Sequence, residues 1–325
     1  MTANVVVIGG GLSGLAAAHE LQQHRIPYTL IEVKPRLGGS IATVQRAGFA
    51  LESGPLLTQD GADAPFLERL GLRESVFTAR VDEEGEWLAF KRGTQTLIDA
   101  LAAPLTGTHM LRMAVSTLGT LDTPRGTRFG VCLENGILLD AAAVIVAAPA
   151  RYAERILHTL RQEISFQLLD YRYDSIVRVS LGYPVSAAPL LPDEPPADYP
   201  VCYIHTLTHA AAPERVPEGQ VLVQAGIRYD PLKGLSPAVA GEFAALFGLP
   251  EQPVVQQVSV WPESDPIMWL DDAAHARAMV LISDWLPDGV ALAGSDYVVT
   301  GDHHPTLGER IEHGRQAARR VLAAL

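Results

Sequence analysis

The 325-residue sequence predicts an α/β fold, in which a Rossmann-like dinucleotide-binding domain is interleaved with a mainly antiparallel β-sheet domain. Three observations carry this. The chain opens on an apolar, β-branched run, Val5 to Ile8, that leads directly into a glycine loop and then into helical composition. A second apolar run, Ala143 to Ala147, suits a return to the same parallel sheet. Between Ile176 and Trp261 the pattern changes to long alternating strands.

Val5 to Ile8 lacks any polar residue, as a strand buried on both faces requires. Gly9-Gly10-Gly11-Leu12-Ser13-Gly14 follows, then Leu15 to Leu21 with helical spacing, and a second strand from Tyr28 to Ile31 that ends at Glu32. In this βαβ setting Gly9 permits a tight turn, Gly11 lets the backbone approach a pyrophosphate at the helix N-terminus, and Gly14 lets helix and strand pack closely. Glu32, 18 residues after Gly14, is placed to accept hydrogen bonds from a ribose diol.

Short helices are expected over Ala64 to Leu70 and Thr94 to Leu101, and strands over His109 to Met113, Thr127 to Leu133 and Gly136 to Leu139. Four alternating strands follow at Ile176 to Tyr183, Tyr199 to Leu207, Gln220 to Tyr229 and Val254 to Trp261. Pro184 to Pro200, with Pro189, Pro192, Pro195 and Pro196, reads as a surface connection. Val290 to Ala293 is one more strand, and Leu307 to Leu325 a helix with Ile311, Ala318, Val321 and Leu322 on its apolar side. There is no internal repeat.

Lys and Arg number 25 against 37 Asp and Glu, a net charge of -12, so no positive field draws the chain to nucleic acid or anionic lipid. The two cysteines, Cys132 and Cys202, allow neither a disulfide framework nor a Cys-rich zinc site, and a reduced cytoplasmic location is expected. Ala141 to Ala150 is too short to span a bilayer, so no membrane span is expected, and the N-terminus reads as the first strand. His205 and His209 lie four apart on an expected strand, and His303-His304 follow Asp302, but no third ligand is placed, so no metal is expected. Tyr203, His205 and Tyr229 either line a substrate cavity or pack within a sheet. Asp82-Glu83-Glu84 and Asp271-Asp272 read as solvated loop charge.

Beyond Glu32 the chain reads Val33-Lys34-Pro35-Arg36-Leu37-Gly38-Gly39-Ser40, and later Glu52-Ser53-Gly54-Pro55. This resembles the extended FAD motif of the protoporphyrinogen oxidase and amine oxidase superfamily, in which the acid is followed by an arginine, a Gly-Gly pair and a Glu-x-Gly-Pro segment. Further matches run in the family's order: a strand from His109 to Leu118 bearing Val115, Val144 to Pro149, Trp261 to Pro266, Ala293 to Asp296, and the closing helix around Ile311 to Ala318. The resemblance implies FAD held through Gly9, Gly11, Leu12, Ser13, Gly14, Glu32, Val33, Arg36, Gly38, Gly39, Ser40, Gly54, Pro55 and Leu56. It adds Val115 at the adenine, Ala148, Trp261, and Gly294, Ser295, Asp296, Arg310 and Ile311 on the flavin side. A helix N-terminus near 309 to 311 would then favour the reduced cofactor. No cysteine lies near the C-terminal motif, so the FAD is expected to be non-covalent.

The resemblance divides the chain into an FAD-binding domain, 1–62, 91–155 and 276–325, and a substrate domain, 63–90 and 156–275, whose sheet is expected to roof the flavin. It implies hydride removal from a small organic substrate, with oxygen or another acceptor reoxidising the flavin. Arg178 stands where amine oxidases supply a lysine, as the candidate catalytic residue; strand alternation puts it opposite the apolar face of Val177, Val179 and Leu181. An arginine holds an anion or polarises a water but is a poor general base. Thr306 replaces a tyrosine of the amine-binding cage, and the stretch from Pro55 to His109 is short for the family. Three alternatives stay open: renalase-like oxidation of a reduced nicotinamide, an FAD-dependent sugar-nucleotide mutase with Arg172, Arg178 and Arg228 as candidate clamps, and a non-catalytic flavin-binding protein.

Overall fold

The computed structural model describes residues 2–83, 85–124, 126–187, 191, 199–267, 272–300 and 304–325. Glu84, Asp271, Asp302, His303 and the prolines 189, 192, 195 and 196 lie outside the described residues. In chain order the strands are β1 (Thr2–Ile8), β2 (Tyr28–Glu32), β3 (Thr43–Arg46), β4 (Phe49–Glu52), β5 (Leu57–Gln59), β6 (Val76–Asp82), β7 (Gly85–Phe90), β8 (Thr108–Leu111), β9 (Val115–Thr123), β10 (Gly126–Leu133), β11 (Leu138–Val146), β12 (Arg172–Pro184), β13 (Val201–Thr208), β14 (Gln220–Arg228), β15 (Val255–Ile267) and β16 (Val290–Leu292). The helices are α1 (Leu12–Gln23), α2 (Asp60–Arg69), α3 (Gln95–Ala102), α4 (Ala150–Leu157), α5 (Gln162–Leu169), α6 (Val239–Leu246), α7 (Asp272–Trp285) and α8 (Leu307–Leu322).

The chain forms two compact units: Met1–Gly39, Ile98–Arg172 and Pro266–Leu325 in the first, Ser40–Leu97 and Tyr173–Asp265 in the second. Residues 156–172 and 266–275 thus group with the nucleotide-type unit, and residues 40–62 and 91–97 with the sheet unit.

A seven-stranded sheet in the order β8-β2-β1-β11-β10-β9, with β16 also beside β11, makes the centre of the first unit. β1 runs parallel to both β2 and β11, so Val5 to Ile8 are buried between neighbours and need no polar side chains. The runs expected separately at 136–139 and 143–147 are a single strand, β11. Its first half pairs antiparallel with β10 and its second half parallel with β16. Asp140, which interrupts the apolar pattern, is accommodated because Arg128 on β10 binds it at 2.5 Å. Conversely, the expected strand from His109 to Leu118 is two strands, β8 and β9. Arg112 between them adopts φ 57°, a left-handed conformation that ends β8.

Helix α1 lies directly against α8. A Cβ on Gly314 would stand 2.1 Å from the Ser13 carbonyl oxygen, so only glycine permits this approach. Nearby, the buried Glu20 carboxylate on α1 accepts Arg315 Nε at 2.9 Å and Arg319 Nε at 2.8 Å from α8. Helices α4 to α7 are not anticipated by the sequence pattern. Among the described residues no helix is long and apolar enough to cross a membrane.

The second unit is built on a sheet in the order β13-β14-β12-β15. Val177, Val179, Leu181 and Tyr183 of β12 join Val223, Ala225 and Ile227 of β14 in a core closed by Phe243 and Ala244 of α6. Arg178 and Ser180 lie on the opposite face, opposite Gly226 and Gln224 of β14. A hairpin, β3 and β4, and a three-stranded sheet in the order β5-β7-β6 complete the unit.

Strand β4 ends at Glu52, whose carboxylate is fully buried and accepts Arg215 Nη2 at 2.6 Å, Thr94 N at 2.8 Å and Thr43 Oγ1 at 3.0 Å. Arg215, equally buried, also donates to Phe90 O and Ala50 O. One ion pair therefore joins β3, β4, β7, the loop before α3 and the segment that carries Arg215. Arg215→Met is expected to lower the stability of the protein by about 3–5 kcal/mol, because it strands a buried carboxylate. Urea unfolding checks this, and the double variant with Glu52→Gln should recover part of the loss. A single-variant change below about 1 kcal/mol would show that the pair does not hold these segments.

Candidate functional site

In the first unit the glycine loop divides its labour. A Cβ on Gly9, at φ 107°, would lie 2.4 Å from Ala147 O, and one on Gly14 would lie 1.9 Å from Gly9 O. Both glycines are dictated by the chain's own packing. Gly10 was not singled out from the sequence, yet its amide donates to Glu32 Oε2 at 2.6 Å, and its Cβ would meet Leu37 and Glu32. The triple glycine was the signal for it.

Gly11 is different. Its φ of -74° suits any residue, and the nearest heavy atom to an added Cβ is Gly39 Cα at 3.9 Å. Nothing in the fold requires glycine there, since a Cβ would make only ordinary van der Waals contact at the N-terminus of α1. No side chain caps that terminus and no acid occupies its first turn. The first intrahelical bond, Leu15 N to Gly11 O, leaves the amides of Leu12, Ser13 and Gly14 ahead of the helical ladder. Leu12 and Ser13 are themselves buried, so what they offer is backbone.

The Gly38-Gly39 loop closes over this point, Gly38 N donating to Gly10 O at 2.7 Å. Lys34 Nζ and Arg36 Nη2 both donate to Gly39 O at 3.1 Å, which brings two cations beside the same loop. Burial pulls the Arg36 guanidinium down from its ordinary value, and the Glu32 carboxylate opposes this. Glu32 is buried at the end of β2 and accepts Gly10 N and Lys34 N, one on each oxygen. Each carboxylate oxygen keeps a second lone pair, so acceptor capacity remains. Val33 beside it is exposed. An open glycine, uncapped helix amides, two adjacent cations and a terminal carboxylate together fit a dinucleotide.

Val115 opens β9 and is half-buried. The Ala148 carbonyl accepts Tyr297 OH at 2.8 Å. Gly294 adopts φ 141°, and its amide donates to His313 Nδ1 at 3.3 Å; burial holds that imidazole below its ordinary pKa. Ser295 Oγ donates to Asp296 Oδ1, while the other carboxylate oxygen accepts the first amide of α4, Ala150 N, at 2.8 Å. Tyr171 OH and His275 Nε2 converge on the Asp296 carbonyl at 2.6 and 3.1 Å. Ile311 is buried, and Arg310 Nε donates to Pro305 O. Helix α8 begins at Leu307, as expected from the sequence, because Thr306 and Glu309 form a capping box. Thr306, expected as a missing cage wall, is the N-cap, and Glu309 sets negative charge against that helix terminus.

Among the residues expected to bind cofactor, Ser40, Gly54, Pro55, Leu56 and Trp261 belong to the second unit. A Cβ on Gly54 would stand 3.0 Å from Ile41 Cα and Ser40 O, and the Pro55 carbonyl accepts Thr94 Oγ1. Leu56 is core. Carbonyls 52 to 54 are gripped from the polar face of the sheet: Gln224 Nε2 donates to Glu52 O and Gly54 O, Trp261 Nε1 to Ser53 O at 2.7 Å, and Arg178 Nη1 to Ser53 O at 3.4 Å. Arg178 is only 7% exposed. Its remaining bonds run to Tyr203 OH and Ser264 Oγ, both at 3.1 Å.

Tyr203 lies over Gly226, where a Cβ would come within 2.3 Å of the ring, and stacks on His205 with centroids 4.8 Å apart. Burial, reinforced by the positive charge of Arg80, pushes the His205 pKa down to about 4. His209 falls beyond the end of β13 and binds Val216 O, so the two histidines do not share the expected strand face. Among the described residues no group of His, Cys, Asp and Glu is arranged to hold a metal. The three arginines weighed as a diphosphate clamp differ in setting: Arg172 is exposed, Arg228 is exposed and bound to Asp174, and Arg178 alone is buried.

Residues 7–70 match the NAD(P)-binding Rossmann-like domain, and residues 64–322 match the flavin containing amine oxidoreductase family. The chain belongs to the flavin containing amine oxidoreductase family, within which it is similar to proteins of both porphyrinogen-oxidising and amine-oxidising name. Coproporphyrinogen III oxidase of Bacillus subtilis is 47% identical over 58 residues, 16% of this chain and 12% of the relative. Mitochondrial protoporphyrinogen oxidase of Nicotiana tabacum is 40% identical over 72 residues, 22% of this chain and 14% of the relative. These matches span about an eighth of each curated relative's length. In fold, a crystal structure of a protein described as a protoporphyrinogen oxidase, from Exiguobacterium sp. 255-15, aligns with TM-score 0.79 at 16% identity, over 99% of both chains. A putrescine oxidase double mutant aligns with TM-score 0.74 at 15% identity, again over 99% of both.

Two outcomes are expected from the site. Gly11→Ala should leave the melting temperature within about 2 °C of wild type, since the added methyl makes only ordinary van der Waals contact with Gly39, but should lower flavin occupancy at least tenfold, on the order of 1.4 kcal/mol. Gly14→Ala should not yield folded protein. Loss of fold in both, or full occupancy in the first, would remove Gly11 from the site. His205 concerns pH: its folded pKa of about 4 lies below the ordinary histidine value, so the unfolded chain binds a proton that the folded chain refuses. The contribution is present above about pH 6.5 and is lost as pH falls toward 4, at most about 3 kcal/mol. Denaturant unfolding at pH 7 and pH 4.5 should show a shallower acid loss in His205→Gln than in wild type.

Proposed function

We propose that the chain is an FAD-dependent oxidoreductase that accepts a hydride from a small organic substrate, with the cofactor held non-covalently. The observation that carries this is Gly11, a glycine that the fold itself does not need, at an uncapped helix N-terminus beside Arg36 and Lys34. FAD, when bound, supplies the hydride acceptor and passes the electrons to oxygen or another acceptor.

The residues then divide the remaining work. The amides of Leu12 and Ser13, with the charge of Arg36, hold a diphosphate; the Gly38-Gly39 loop shapes its surroundings; Glu32 takes a ribose hydroxyl on its spare lone pair; the Val115 backbone meets the adenine. An arginine is a poor general base, so Arg178 orients substrate and does not remove a proton. Its bonds to Tyr203, Ser53 and Ser264 support this, because they fix the guanidinium from three sides. The family's printed names cover both porphyrinogens and amines, and no observation favours a reduced nicotinamide over either.

Purified protein should be yellow, and heat or acid should release the colour into the supernatant as FAD, identified by chromatography. Flavin retained on the denatured chain would overturn the non-covalent reading. A released nicotinamide dinucleotide would overturn the cofactor itself.

A further inference from the structure

Two arginines are buried in the second unit, and they are treated differently. Arg215 is matched by the Glu52 carboxylate at 2.6 Å. Arg178 has three partners, Tyr203 OH, the Ser53 carbonyl and Ser264 Oγ, and all three are neutral. Among the described residues no carboxylate forms an ion pair with it. Glu263, which strand alternation puts on the same face of β15 as Trp261, instead exerts its charge on Tyr229. A guanidinium has five N–H donors, so two of Arg178's are left over.

Neutral oxygens satisfy hydrogen bonds but do not balance a charge, and a buried cation without a counter-ion is destabilising. An anion from outside the chain would complete such a charge. We infer, resting on the reading of the chain as a flavin-dependent oxidoreductase, that this anion is a carboxylate of the substrate, so that the enzyme takes an organic acid and not a polyamine cation.

The surroundings point the same way. Gln224, 1% exposed and on the same face, donates through Nε2 to Glu52 O and Gly54 O, which fixes its orientation and leaves Oε1 buried without a partner. A ligand that carries an N–H or O–H beside its carboxylate would meet both the arginine and this acceptor. The stacked Tyr203 and His205 rings give the face a flat wall, and the charge of Arg80 reaches His205, adding to that of Arg178. Such a face attracts a carboxylate and repels a dication such as a diamine.

Isothermal titration of the purified flavoprotein with benzoate, its neutral isostere benzamide, and putrescine tests this. Benzoate should bind at least tenfold more tightly than benzamide, and putrescine should give no heat of binding. Arg178→Gln should abolish the preference for benzoate, and Arg178→Lys should keep part of it, with melting temperatures establishing that both variants fold. The comparison of benzoate with benzamide needs no variant. Equal binding of the two, binding of putrescine alone, or an undiminished preference in a folded Arg178→Gln would overturn the inference. Flavin content of the same samples separates the two readings: a colourless protein that still prefers benzoate sinks the proposed function and supports the anion site, and a yellow protein without the preference does the reverse.

Discussion

A carboxylate and a guanidinium sealed away from water, Glu52 and Arg215, set the terms for the second unit. Two such charges are tolerable in the interior only when they face each other and most of the lone pairs and protons around them are occupied. That demand recruits the Thr94 amide, the Thr43 hydroxyl and the carbonyls of Ala50 and Phe90. Segments far apart in the chain are thereby locked to the end of β4, and the three residues after Phe49-Ala50-Leu51 acquire a defined path. The carbonyls of Glu52, Ser53 and Gly54 can then be met by Gln224, Trp261 and Arg178 from the sheet. The family's Glu-x-Gly-Pro wording is, in this chain, first a structural device: the acid anchors, and the glycine permits an approach to Ser40 and Ile41 that a Cβ would block.

The first unit obeys a steric constraint of another kind. Gly9, Gly14 and Gly314 each stand where a methyl group would strike backbone, so strand β1, helix α1 and helix α8 come closer than side chains allow. Close packing of this type gives the helix end a fixed position, which is the condition for presenting backbone amides to a diphosphate. The rigidity of the loop comes from these close glycine contacts.

Much of this was legible in the sequence, and for an identifiable reason. The loop from Gly9 to Gly14 and the acid at 32 work through local spacing, which a linear reading preserves. The faces of β12 were legible too, since Arg178 and Val177 alternate across a strand. What escaped were relations that exist only in three dimensions. Arg215 is 163 residues from Glu52, and nothing near either residue marks the pair. Gln224 sits in a strand buried on both faces, so alternation did not distinguish it. Asp140 divided one strand into two on paper because its partner Arg128 lies on the neighbouring strand. Helices α4 to α6 are each eight residues long, too short for periodicity to stand out, and Arg112 ended β8 through a backbone conformation that arginine does not advertise.

The contact between Gly314 and Ser13 joins residues about 300 positions apart. During synthesis, helix α1 therefore leaves the ribosome long before the helix that will cover it exists, and the first unit can close only after the second unit's segments have been made. Contacts so distant in sequence slow folding, since the chain must be brought together before they reward it. The buried Glu20 carboxylate meanwhile waits in water for Arg315 and Arg319. Until the last helix is made, the apolar face of α1 has no cover.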